Sequence, residues 1–167
     1  MKKPLVSIVM GSDSDFEVIG EAGRILDEFE IFYEVQVLSA HRSPLLVSDF
    51  AQRARERGIR VIIAGAGGAA HLAGVIAAHT TLPVLGVPVD SSTLQGLDSL
   101  LSTVQMPSGI PVATLAIGKT GALNAGILAA QIIGLGDAAI SEKLTAYKKK
   151  LAESVQEKNK KLQAKIG

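Results

Sequence analysis

The sequence predicts a three-layer α/β domain, a doubly wound parallel sheet with helices on both faces, followed by one extra long C-terminal helix. Three observations carry this prediction. Short apolar runs rich in β-branched residues alternate along the chain with helical stretches. Several of these runs end in turns built from glycine, serine and aspartate. After Gly134 the composition shifts to a charged segment with a single apolar stripe.

Leu5–Met10 reads as a strand buried on both faces, and Gly11-Ser12-Asp13-Ser14-Asp15 supplies capping side chains for a helix over about Phe16–Phe29. Tyr33–Leu38 is the second strand. Ser43 is a good N-cap and Pro44 a good first helical residue, so the next helix should run to about Arg57 and stop at Gly58. Val61–Ala64 is a third buried strand, which Gly65-Ala66-Gly67-Gly68 turns into a helix around Ala70–His79. Pro83 precedes a strand at Val84–Val87, followed by Pro88 and a helix within Thr93–Val104. A fifth strand is expected at Val112–Ile117, and Gly118-Lys119-Thr120-Gly121 opens a helix over Ala122–Ile133. This alternation gives right-handed βαβ units, for which the commonest five-strand order is 2-1-3-4-5, the flavodoxin-like arrangement.

Residues 1–134 therefore form the α/β domain, and 135–167 form the C-terminal helix, about Asp137–Lys165. Its residues Ile140, Leu144, Tyr147, Leu151 and Val155 recur at three- or four-residue steps. The sheet already has helices for both faces, so this stripe is expected to pack on a neighbouring subunit. Lys148-Lys149-Lys150 reads as the helix's solvated face.

Composition narrows the function. Apolar residues make up 47% and charged residues 20%, enough for a core and against disorder. A net charge of +1 and only 4% aromatic residues argue against nucleic acid as a partner. The absence of cysteine removes disulfides, thiolate metal sites and a cysteine nucleophile. Lys2 and Lys3 precede an apolar run that stops at Gly11, too short for a signal core or membrane span, so a cytoplasmic protein is expected.

In such a sheet, ligands bind beyond the carboxyl ends of the strands where the strand order reverses. That crevice lies between Gly11–Asp15 and Gly65–Gly68, flanked by Ser39–Arg42. In the first turn, backbone donors and the Ser12 and Ser14 hydroxyls could face an anion at a helix N-terminus, or merely cap it. Asp15 would repel phosphate but could accept hydrogen bonds from ribose hydroxyls. The glycine turn either packs helix on strand or admits a flat ring or carboxylate. Arg42 can fork onto phosphate oxygens, and beside it stands His41, of the one residue type whose ordinary proton exchange falls near neutral pH. His71 could orient a ligand or simply cap and pack; His79 reads as structural. No spacing of histidines and carboxylates makes a metal site.

Several segments together resemble one family. They are Gly11-Ser12-Asp13-Ser14-Asp15, Ser39-Ala40-His41-Arg42-Ser43-Pro44, Ala64 to Leu72, and Gly86-Val87-Pro88-Val89. Gly96-Leu97-Asp98-Ser99-Leu100, Val104-Gln105-Met106-Pro107 and Asn124-Ala125-Gly126 complete the set. Each is weak alone, but in this order across Leu5–Ile133 they resemble the N5-carboxyaminoimidazole ribonucleotide mutase (PurE) family, and within it the mutase group. The resemblance implies an isomerase of purine biosynthesis that moves a carboxylate from the exocyclic nitrogen to C4, without cofactor or metal. It also implies that Ser12, Asp15, Ser39 and Arg42 hold the ribose 5-phosphate, that His41 is the general acid and base, and that Ala66, Gly67 and His71 frame the carboxylate. A homo-octamer is implied as well. Ala73 departs from the family's usual Pro, and no role falls on Asp90-Ser91-Ser92. The alternatives are a sister-group carboxylase using free CO2, or a non-catalytic nucleotide- or flavin-binding domain, although two Tyr and no Trp suit a flavin ring poorly.

Overall fold

The computed structural model describes residues 3–166; Met1, Lys2 and Gly167 lie outside them. Its elements run β1 (Val6–Met10), a 3₁₀ turn (Asp13–Asp15), α1 (Phe16–Glu28), β2 (Tyr33–Val37), α2 (Pro44–Arg53), β3 (Val61–Gly67) and α3 (Leu72–His79). β4 (Val84–Val89), α4 (Leu97–Val104), β5 (Ala113–Thr114), α5 (Gly118–Gly134) and α6 (Ala138–Ile166) follow. The five strands are parallel in the order β2-β1-β3-β4-β5, as the alternation of elements predicts.

Strand periodicity divides the core. Val6, Ile8 and Met10 of β1 face α1 and α5, whereas Val9, Ile62 and Ala64 face α2 and α3. The alanines at 122, 125, 129 and 130 are fully buried, and their small side chains let α5 lie close to the sheet and α1. Ser7, also fully buried, donates to Glu34 Oε1 at 2.9 Å, and Arg57 Nη1 closes on the same carboxylate at 2.7 Å. The edge strand β2 is thereby pinned by a polar network that hydrophobic patterning does not reveal.

Four boundaries differ from expectation for physical reasons. β5 is two residues long instead of six. Leu115 N–H donates to Gly86 O at 2.9 Å, and the next bond of a parallel ladder would come from the N–H of residue 88. That residue is Pro88, which has none, so the ladder stops. β3 continues through the glycines to Gly67 because β4 pairs with it as far as Val89. The turn into α3 is consequently later, with Gly68 in the left-handed region at φ 61°. α2 ends at Arg53, and Gly58 N–H to Arg55 O and Ile59 N–H to Ala54 O then close the chain, with Gly58 at φ 98°. α5 begins at Gly118, four residues early, where Lys119 Nζ reaches Glu17 Oε1 at 2.8 Å.

α6 divides into two parts. Ile140 is buried, and Leu144 and Tyr147 pack on the same core, Tyr147 edge-on to Phe29 with centroids 5.5 Å apart. Leu151 and Val155, further along the stripe, are exposed at 46% and 65%. The first turns thus cover the chain's own domain, contrary to the expectation for the whole stripe. No helix among the described residues is long and apolar enough to cross a membrane.

Candidate active site

At the carboxyl ends of β1 and β3, α1 leaves toward one face of the sheet and α3 toward the other. A crevice opens between them, and the connection after β2 closes its side. It is a cavity of about 350 Å³. Ser12, Ser14, Asp15, Ser39, His41, Arg42, Ala66, Gly67 and His71 all line it, so every site residue proposed from sequence comes to one place. His79 does not; it lies at the far end of α3, its Nδ1 3.5 Å from Ser48 Oγ.

The wall after β1 is a network of hydroxyls at the start of a helical turn. Ser14 Oγ donates to Ser12 Oγ at 2.9 Å, while Ser12 N–H donates to Asp15 Oδ2 at 3.3 Å in a capping box. Asp15 is therefore partly a cap. It is also 7% exposed, and burial pushes its carboxyl above the usual 3.8 against the effect of the Ser12 N–H, with Asp13 adding to the rise.

The wall after β2 owes its shape to a serine that sequence reading assigned to helix capping. Ser43 precedes Pro44 but makes no cap hydrogen bond to the helix. Instead its Oγ accepts Ser39 N–H at 3.1 Å and lies 3.0 Å from Ser39 O, to which it donates. The Ser39 hydroxyl then accepts from Arg42 N–H at 3.2 Å and from Arg42 Nε at 3.3 Å. Arg42 Nη2 crosses to Gly11 O at 2.9 Å. The guanidinium is thus held at the cavity by two loops, with the remaining N–H groups available to an anion.

His41 points the other way. Its Nε2 lies 2.7 Å from His71 Nδ1, with the rings nearly perpendicular at 83°. His71 itself stands at the N-cap position of α3 but makes no capping bond with its side chain. The pair joins the connection after β2 to that after β3.

Two glycines of the turn serve close packing. A Cβ on Gly65 would overlap the Ile19 side chain, so this glycine serves helix–strand packing. A Cβ on Gly67 would overlap Ser91 Oγ, so here the missing side chain lets Ser91 close against the turn at the cavity rim. Ser91, given no role from sequence, lines the cavity with Gly11, Ala40, Ala69 and Leu72. Its position just past β4, the neighbour of β3, is the signal that could have placed it on the rim. Ala73 occupies the first turn of α3, where proline is also tolerated.

Fold and site together define an α/β domain that can hold a phosphorylated small molecule with an imidazole pair beside it. The family model described as AIR carboxylase matches residues 5–154, and the chain belongs to that family. It is 58% identical over 162 residues to the N5-carboxyaminoimidazole ribonucleotide mutase of Pyrococcus horikoshii, covering 97% of this chain and 90% of that protein. To the protein of the same name from Bacillus subtilis it is 56% identical over 160 residues, covering 96% and 99%. The crystal structure of Treponema denticola PurE superposes with a TM-score of 0.86 at 30% identity, over 96% of this chain and 99% of that one.

Proposed function

We propose that this chain is an isomerase of purine biosynthesis that converts N5-carboxyaminoimidazole ribonucleotide to 4-carboxy-5-aminoimidazole ribonucleotide. The relatives carrying the mutase name match it at 53% identity or better over nearly its whole length, which favours this reading over a free-CO2 carboxylase or a non-catalytic binding domain. The observation that carries the mechanism is the gathering of Arg42 and His41 at one cavity with their side chains turned to opposite walls.

Arg42, with the Ser12, Ser14 and Ser39 hydroxyls, binds the 5-phosphate by charge-assisted hydrogen bonds, and Asp15 accepts from ribose hydroxyls. The aminoimidazole then lies toward Ala66, Gly67 and His71. His41 protonates the exocyclic nitrogen, the N–C bond breaks, and CO2 is released into the crevice. The electron-rich ring carbon C4 attacks that CO2, held close at high effective concentration. Neutral His41 removes the C4 proton, which restores aromaticity and the starting state of the imidazole. One proton cycles, and none is consumed.

The enzyme works as a homo-octamer in the cytoplasm in this reading. Support for assembly comes from the apolar side chains left exposed at Leu45, Leu46 and Leu135 and along the far half of α6. Purified protein mixed with N5-carboxyaminoimidazole ribonucleotide should give the ultraviolet absorbance of the C4-carboxylated product without bicarbonate. A requirement for bicarbonate with aminoimidazole ribonucleotide would instead assign the carboxylase reaction.

A further inference from the structure

We propose that His71 is the positioning residue for His41, accepting the Nε2–H of that ring through its own Nδ1 and so reserving His41 Nδ1 for the substrate. The inference deepens the proposed function and rests on His41 being the acid and base. Two imidazole nitrogens 2.7 Å apart share one hydrogen, so one ring must donate and the other accept. The structure offers two directions, and only one is compatible with the chemistry.

Suppose His71 Nδ1–H donated to His41 Nε2. Neutral His41 would then carry its hydrogen on Nδ1 and its lone pair would be committed to His71, leaving no base for the C4 proton. Protonated His41 would face the His71 N–H with an N–H of its own, and the contact would break. With His41 Nε2–H donating, the same hydrogen bond survives in both protonation states. Nδ1 is then an N–H when the exocyclic nitrogen must be protonated and a lone pair when C4 must be deprotonated. An acceptor that fixes one imidazole nitrogen so that the other can work is a general device of histidine chemistry.

The surroundings agree with this direction. His71 stands at the start of α3, where a second positive charge would oppose the helix dipole, and a neutral acceptor would not. Its side chain makes no capping bond, so Nδ1 is free for His41. With Nδ1 accepting, the hydrogen of His71 resides on Nε2, a donor available to the carboxylate as it departs and returns. The proton balance is closed. His41 Nδ1 gives its proton to the exocyclic nitrogen as the N–C bond breaks and CO2 leaves. It regains one from C4 after the C–C bond forms, while the Nε2 hydrogen stays throughout.

The chain has three histidines, so ¹⁵N-histidine labelling gives a readable spectrum, assigned with His71→Asn and His79→Asn. In ligand-free enzyme under mildly alkaline conditions, His41 and His71 should both be Nε2–H tautomers, with coupling across the hydrogen bond to His71 Nδ1. A His71 Nδ1–H tautomer would overturn the proposal. In steady-state kinetics, His71→Leu should lower kcat by roughly 10–100-fold, by analogy with the loss of the partner that orients a metal-ligating histidine. His71→Asn, whose Oδ1 lies near the Nδ1 position, should recover most of that loss. A raised KM with unchanged kcat in the leucine variant would make His71 a binding residue only. An asparagine variant as slow as the leucine one would show that an acceptor at the Nδ1 position is not what the rate depends on, and either result refutes the positioning role. Wild-type enzyme without turnover would overturn the functional reading instead, and the tautomer measurement does not depend on turnover.

Discussion

Arg42 offers the sharpest test of how the crevice holds its ligand. Of the five N–H groups of a guanidinium, one on Nε is committed to Ser39 Oγ and one on Nη2 to Gly11 O. The remainder suffice for a fork onto two phosphate oxygens. Hydrogen bonds to charged groups contribute about 1.5–3 kcal/mol each, and the second bond of a fork is not independent of the first. Loss of the pair in Arg42→Met should cost about 3 kcal/mol, or roughly 100-fold in affinity. Methionine keeps much of the aliphatic stem, and because Arg42 is exposed the melting temperature should move little. The assay is isothermal titration calorimetry with the product ribonucleotide and, separately, its dephosphorylated riboside. Only the ribonucleotide should bind more weakly to the variant, and its affinity for wild type should fall with added salt. Equal weakening of both ligands, or of neither, would mean that the guanidinium braces the two loops without meeting the phosphate.

His41→Asn should retain ribonucleotide affinity in the same titration while losing roughly 10²–10⁴-fold in kcat; a variant with most of the wild-type rate would remove His41 as proton carrier. Burial raises the folded-state carboxyl of Asp15 above 3.8, so its stabilising contribution is complete below that value and is lost as pH rises through the folded one. Asp15→Asn should therefore be more stable than wild type at neutral pH in urea titrations, with the gap closing toward pH 3.8, and a constant gap would contradict the burial effect. Ser43→Ala strips Ser39 N–H of its acceptor and should cost about 1 kcal/mol in stability together with a higher KM; normal values of both would show that the turn holds without it. Truncation after Lys150 keeps Ile140, Leu144 and Tyr147 on the core and should lower the oligomer mass in light scattering without unfolding the protomer; an unchanged mass would exclude the far half of α6 from assembly.

What could be read from the chain divides along physical lines. The buried strands and their order were legible because β1, β3 and β4 are apolar on both faces, and alternation with helices leaves few topologies. The cavity residues were legible because that order brings the carboxyl ends of β1 and β3 side by side. Features decided by pairing between distant segments were not. Nothing local near Val112 announces that Pro88 will end its ladder, and nothing near Gly65 shows that β4 will carry β3 through the glycines to Gly67. Ser43 carries a capping signature that a tertiary role displaced, since the same hydroxyl could serve helix or loop and the loop won. Along α6 the regular stripe is silent about where the domain beneath it ends.

The placement of His41 and Arg42 next to each other in sequence carries more information than either residue alone. β1 and β3 are hydrogen-bonded neighbours, and the connection after β2 passes across the ends of both. Successive residues of that connection send their side chains apart, Arg42 toward Gly11 after β1 and His41 toward His71 after β3. The distance between anion anchor and imidazole is therefore set by the backbone of one short turn, which Ser39 and Ser43 tie to itself. On the proposed reading, a ligand clamped at one end by its phosphate presents its other end to the histidines. Exchanging the two residues would put each on the other's wall, so their order is as much a part of the site as the side chains. On that reading, a loop with so little secondary structure specifies both the charge a substrate carries and the place where its proton moves.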